Sequence, residues 1–233
     1  MSKNILEIKD LCSGYGSSQV LNRLSMDVPE KGTVAIFGRN GVGKTTLLKS
    51  IVGDNIRQTD GIIKFKGEDI NSQKHERRIR KGIGYVPQEL SIFSSLTIKE
   101  NLILGTPSKK LNANIDFALE IFPKLKERLS QAAGTLSGGE RKMLTIGRAV
   151  LGQPRLLLLD EPTEGVWIGV IEEIGDRLYE LAKDMAIVLV EQNIELGLRI
   201  AQQAFVVLRG EIVLKDTAEN IKKDERLKQL LAP

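Results

Sequence analysis

The 233-residue sequence predicts an α/β fold, with a parallel-sheet core, an antiparallel β subdomain beside it and an inserted helical subdomain. Three observations carry that reading. A glycine loop, Gly38-Arg39-Asn40-Gly41-Val42-Gly43-Lys44-Thr45-Thr46, stands between an apolar β-branched run and a helical pattern. Three short runs, Ile83-Gly84-Tyr85-Val86, Leu156-Leu157-Leu158-Leu159 and Ala186-Ile187-Val188-Leu189-Val190, are apolar almost throughout, as strands of a parallel sheet covered on both faces are. The stretch from about 95 to 151 carries helix-period patterns instead of strands.

In chain order, Ile5-Leu6-Glu7-Ile8-Lys9 alternates and reads as a strand. Residues 20–28 read as another, followed by a turn over 29–32. With Gly61-Ile62-Ile63-Lys64-Phe65 they make the antiparallel sheet. Thr33-Val34-Ala35-Ile36-Phe37 is a buried strand, and Thr46-Leu47-Leu48-Lys49-Ser50-Ile51-Val52 starts a helix. In the insertion, Ile115, Ala118, Leu119 and Phe122 fall at helix spacing. Residues 204–208 and 211–214 flank Arg209-Gly210 and read as a closing hairpin. The tail after Asp216 is charged, with a helix capped by Thr217. No repeat or long linker divides the chain, so residues 1–233 read as a single domain.

Bulk composition narrows the class. Hydrophobic residues make up 41%, enough for a sizeable core. No apolar run approaches the roughly 20 residues of a membrane span. The stretch Met1-Ser2-Lys3-Asn4-Ile5-Leu6-Glu7 lacks the apolar segment of a signal peptide. Cys12 is the only cysteine, which excludes an internal disulfide and fits a reducing compartment, so a cytoplasmic location is expected. A net charge of +4 with 4% aromatics does not favour nucleic-acid binding. The run Lys74-His75-Glu76-Arg77-Arg78-Ile79-Arg80-Lys81 reads as a solvated helix face or as contact with a phosphate-rich surface.

Three motifs carry chemistry. The glycine loop has the G-x-x-x-x-G-K-[ST] spacing of a phosphate-binding loop, and the core is accordingly expected to resemble a P-loop NTPase (RecA-like) core. Its amides can face phosphate oxygens at a helix N-terminus. Lys44 would reach the β- and γ-phosphates of ATP, and Thr45 would offer its hydroxyl to Mg²⁺. Leu156 to Leu159 end in Asp160-Glu161, where Asp160 can help hold Mg²⁺ and Glu161 can act as general base. Leu136-Ser137-Gly138-Gly139-Glu140-Arg141 opens a helix at Ser137, with Met143, Ile146, Gly147 and Val150 as its buried stripe. Two glycines in a first helical turn cost roughly 1 kcal/mol each, which points to a close backbone approach.

Ser137-Gly138-Gly139, with the phosphate loop and strand-Asp-Glu in this order, resembles the ATP-binding subunit of an ABC transporter over essentially the whole chain. The resemblance implies a head-to-tail dimer with a second ATPase subunit, like or unlike. ATP on one phosphate loop is then capped by Ser137, Gly138 and Gly139 of the other chain. It also implies transmembrane permease subunits as partners, at the cytoplasmic face of the plasma membrane. Tyr15 matches the aromatic that stacks on adenine, or is a core tyrosine. Gln88 matches the glutamine that reaches Mg²⁺ and the attacking water. Phe93 is a candidate exposed anchor for the permease, or an ordinary core residue.

Two positions depart from the family pattern. The usual histidine after the next strand is Gln192, which can donate a hydrogen bond but cannot titrate. Trp167 stands where many relatives carry an interface aspartate. With Glu164-Gly165 and Val190-Glu191-Gln192-Asn193, these features resemble ATPase subunits of branched-chain amino-acid importers, while Gly38 to Lys44 and Asp184-Met185-Ala186-Ile187 also resemble those of the related amide and urea importers. Two other readings stay open: a soluble ABC-type ATPase acting on ribosome or nucleic acid, and a simple phosphate-loop kinase.

Overall fold

A computed structural model describes residues 3–89, 91–107 and 113–231. Met1 and Ser2 of the N-terminal stretch, and residues 108–112 of the insertion, lie outside it. The core is a six-stranded sheet in the order β10-β9-β3-β8-β7-β6. Its strands are β3 (Gly32–Phe37), β6 (Ile83–Val86), β7 (Leu156–Asp160), β8 (Ala186–Val190), β9 (Gln203–Leu208) and β10 (Glu211–Thr217). All neighbours pair in parallel except the β9–β10 hairpin. Every residue of β3, β7 and β8 is buried, which is why their sequences show no polar alternation.

Period-2 geometry splits these strands between two cores. Leu157, Leu159, Ile187 and Leu189 face a helical layer. That layer includes α3 (Ile98–Ile103), α4 (Asp116–Ile121), α5 (Gly138–Val150) and α6 (Ile168–Leu181). Leu156, Leu158, Val188, Val34 and Ile36 face the opposite way, onto α1 (Lys44–Val52) and the second sheet. That antiparallel sheet has the order β2-β1-β4-β5, built from β1 (Asn4–Tyr15), β2 (Ser18–Pro29), β4 (Arg57–Phe65) and β5 (Glu68–Asp69).

The strand read at 5–9 extends to Tyr15. Register shifts between Ile8 and Gly14, with Asp10 at φ 48°, break the alternation that would have marked its second half. The basic run contributes α2 (His75–Arg80), with one exception to a solvated face. Arg78 is buried and donates to the Ser50 and Ile51 carbonyls, closing the C-terminal end of α1. Thr217 caps α8 (Ala218–Lys223) through the Asn220 amide. The remaining helices are α7 (Ile194–Ile200) and α9 (Arg226–Leu231). No helix among the described residues is long and apolar enough to cross a membrane.

The topology makes the site. The neighbouring strands β3, β8, β7 and β6 run in parallel, so their C-terminal ends lie along one edge. Those ends lead into the glycine loop, Glu191-Gln192, Asp160-Glu161 and Gln88, respectively. In α/β sheets this edge is where ligands bind.

Candidate active site

The glycine loop leaves β3 and turns into α1. Gly43 holds the turn at φ 110°, and a Cβ there would lie 2.8 Å from Leu21 Cδ2, so both backbone shape and space demand glycine. The amides of Asn40, Gly41 and Gly43 have no acceptor among the described residues. Lys44 is buried. Its Nζ folds back to donate to the Gly38 carbonyl at 2.8 Å and the Arg39 carbonyl at 3.1 Å. Free amides around a buried ammonium suit a multiply charged anion such as a polyphosphate.

Asp160 ends β7 beside that loop. Thr45 Oγ1 donates to its Oδ1 at 3.2 Å, and the Tyr85 hydroxyl donates to Oδ2 at 3.4 Å. Burial pushes the Asp160 carboxyl above its usual value, and the Glu161 charge adds to that, while the Thr45 bond opposes it. Burial, then the Asp160 charge, push the Tyr85 phenol up as well, so it stays a donor. A hydroxyl and a carboxylate side by side are hard oxygen donors that fit Mg²⁺, which binds through one or two carboxylates plus substrate phosphates. In keeping with so sparse a donor set, no cluster of three or more His, Cys, Asp or Glu able to hold a metal occurs among the described residues.

Glu161 is held on three sides. Its Oε1 lies 3.4 Å from Lys44 Nζ, both side chains being buried. Its Oε2 accepts from Gln192 Nε2 at 2.7 Å and from Gln88 Nε2 at 3.2 Å. The backbone takes φ 48°, a left-handed shape that costs a non-glycine residue of order 1 kcal/mol or more. The amide bond to the Val190 carbonyl, 2.9 Å, is part of what enforces it. Gln192 also donates to Asn40 Oδ1 at 2.9 Å, tying the end of β8 to the loop. Gln88 donates to Glu164 Oε2 at 2.9 Å.

Four residues of this cluster were given no role in the site by the sequence: Tyr85 and Lys142, and Glu164 and Glu191, which entered only as parts of the importer-like segments. Glu191 accepts from the Thr163 amide and hydroxyl and from the Gln192 and Asn193 amides, and so shapes the turns after β7 and β8. Burial raises its carboxyl above the usual value, against the pull of those bonds. Lys142 is buried on α5. It lies three residues after Gly139 and four before Ile146, and that spacing on a buried face was the available clue.

Ser137 caps α5 in a reciprocal box. Its Oγ accepts from the Glu140 amide at 3.3 Å, and Glu140 Oε2 accepts from the Ser137 amide at 2.9 Å. The two glycines differ. A Cβ on Gly139 would lie 2.7 Å from Val170 Cγ1 of α6, an internal close approach, whereas a Cβ on Gly138 meets nothing within 4 Å. No hydrogen bond joins Ser137, Gly138 or Gly139 to the glycine loop of the same chain. Tyr15 is 39% exposed, Phe93 53% and Trp167 74%. Phe93 is therefore a surface residue, with Arg148 over its ring at 5.6 Å, and not part of the core.

Known proteins resemble this chain in sequence and fold. The sequence profile of the ABC transporter family matches residues 21–164. The chain is 39% identical over 217 residues to the high-affinity branched-chain amino acid transport ATP-binding protein BraG of Pseudomonas aeruginosa, covering 91% of this chain and 93% of that one. It is 35% identical to the probable branched-chain amino acid transport ATP-binding protein LivF of Archaeoglobus fulgidus, over 97% and 98% of the two chains. It is 34% identical to the lipopolysaccharide export system ATP-binding protein LptB of Haemophilus influenzae, over 97% and 96%. Its fold matches the crystal structure of the ADP conformation of an ABC transporter ATP-binding cassette, with a TM-score of 0.85, 26% identity and 98% coverage of each chain. On this sequence and fold evidence the chain belongs to the ABC transporter family, as one of its ATP-binding, ATP-hydrolysing subunits.

Proposed function

We propose that this chain powers import of branched-chain amino acids, or a related polar solute, from the cytoplasmic face of the membrane. In this reading Gly38 to Thr46 grip the phosphates of ATP, Lys44 faces the β- and γ-phosphates, and Tyr15 stacks on adenine. Thr45, Asp160 and Gln88 would hold Mg²⁺, which neutralises charge on the phosphates. Glu161 takes a proton from the attacking water, with Gln88 and Gln192 aiming its carboxylate. Ser137, Gly138 and Gly139 complete the site of a second ATPase subunit, like or unlike, paired head to tail. Permease subunits dock near Phe93.

The observation that carries the hydrolytic part of the reading is the convergence of Lys44, Gln88 and Gln192 on one carboxylate, Glu161, beside Thr45 and Asp160, while likeness to the BraG protein supports import. The open space around Gly138 supports capping in trans. Two genes for membrane partners, coexpressed and reconstituted with this chain in vesicles, give the test. ATP-dependent leucine uptake is expected. Export of a lipid is the second reading, favoured by the LptB relative. ATP-driven lipid extraction without solute uptake would replace import by export. Stable association with ribosomes or RNA and no membrane partner would overturn both.

A further inference from the structure

Lys142 is 6% exposed, yet it carries an ammonium group. Burying a charge costs several kcal/mol unless it is well satisfied. Here Nζ donates to two carbonyls, that of Gln88 at 2.9 Å and that of Glu161 at 3.3 Å. The first belongs to the loop after β6 and the second to the loop after β7. Both are the main-chain oxygens of residues whose side chains meet at Glu161 Oε2. Burial lowers the lysine's hold on its proton, and the charges of Glu164, Glu191, Asp160 and Glu161 offset only part of that. An apolar residue of the same length would fill the space without that burden, so packing alone does not account for a lysine.

The N-terminal end of the same helix gives the charge a purpose. α5 begins at the Ser137 capping box, five residues before Lys142. At a rise of about 1.5 Å per residue, that is roughly 7.5 Å along one rigid rod. The start of the rod is tied together: Arg141 donates to the Leu136 and Gly134 carbonyls just before it, so the first turn follows the helix body. Pressure on the Ser137 end therefore moves the helix as a unit.

We propose, resting on the head-to-tail pairing above, that Lys142 is a positioning residue: it transmits docking of the Ser137 helix end on the partner's nucleotide to the Gln88 and Glu161 main chain. Each subunit would thus sense, through its own α5, whether the opposite site is filled, and would align its own Glu161 only then.

The test uses the full transporter complex and ATP. Lys142→Met keeps length and removes charge. It should lower kcat on the order of 10- to 100-fold, while nucleotide affinity and Tm stay at the parent values. Lys142→Arg, which can still donate to both carbonyls, should recover most of the loss. Ser137→Asp keeps a helix cap but repels phosphate. Combined with Lys142→Met, it should cost clearly less than the product of the two single losses, because both break one line of transmission. Multiplicative losses, or unchanged kcat in Lys142→Met, would overturn the role. So would a joint fall of kcat and Tm that arginine does not rescue, which marks a structural lysine. If Ser137→Asp alone leaves turnover intact, head-to-tail pairing itself fails, whatever the Lys142 variants do.

Discussion

Replacing Gln192 by alanine tests how Glu161 is aimed. The change removes a 2.7 Å bond to Glu161 Oε2 and a 2.9 Å bond to Asn40 Oδ1. A hydrogen bond to an ionised group contributes about 1.5–3 kcal/mol net. Two features pull the effect to the low end. The same oxygen keeps the Gln88 bond at 3.2 Å, and Oε1 keeps Lys44 at 3.4 Å. A loss of about 1.5 kcal/mol in the hydrolytic step means roughly tenfold lower kcat. Phosphate release by the assembled complex at saturating ATP measures it. Gln192→His adds a second reading of the same site. An imidazole titrates near pH ~6.5, so this variant should gain an inflection in its turnover–pH profile that the parent lacks. If Gln192→Ala is as inactive as a variant lacking the Glu161 carboxylate, Gln192 acts on the nucleotide and does not merely aim Glu161.

Further expectations follow from the same geometry. Glu161→Gln should slow turnover by on the order of 10² to 10⁴ with ATP binding intact, and near-parent turnover in the complex would remove Glu161 as the base. Lys44→Ala should weaken ATP binding in a direct titration; unchanged affinity would contradict its place at the phosphates. Trp167, the sole tryptophan and 74% exposed, should change fluorescence when ATP closes the dimer, and silence during independently verified closure would place it off the interface. Gly139→Ala should lower Tm through the 2.7 Å clash with Val170, worth about 1–3 kcal/mol. Gly138→Ala should hold or raise Tm yet lower turnover of the complex; a lower Tm there would show that the open space around Gly138 is not available to a side chain.

The parts of the fold written in local pattern were legible. β3, the glycine loop and α1 follow one another in the sequence, and each has its own signature in period, glycine or cap. The β9–β10 hairpin announced itself through Arg209-Gly210. The second half of β1 did not, because bulges between Ile8 and Gly14 scramble the alternation. The polar start of β4 at Arg57 is a strand only because β1 pairs with it. In the site, residues with motif spacing could be read, but what Lys142 and Glu191 do could not. Their roles exist only once β6, β7 and β8 stand side by side, which brings Gln88, Glu161 and Thr163 within bonding distance of them. Arg78 was hidden for a related reason. Among seven other residues of a polar run, nothing local distinguishes the one guanidinium that turns inward to α1.

The hairpin turn has one more consequence. Gly210 donates its amide to the Val42 carbonyl at 2.9 Å, and the Asn22 amide donates to the Gly210 carbonyl at 3.0 Å. The turn is wedged so tightly that a Cβ on Gly210 would lie 1.9 Å from the Val20 carbonyl oxygen. The back of the glycine loop is thus braced by a segment synthesised more than a hundred and sixty residues later. On a translating ribosome that interval is about 10–30 s. For that time the nascent chain carries the whole nucleotide-binding motif without the brace behind it. Maturation of the grip is therefore timed by the last strands to emerge, and a chain stalled before β9 would display the motif while lacking this support.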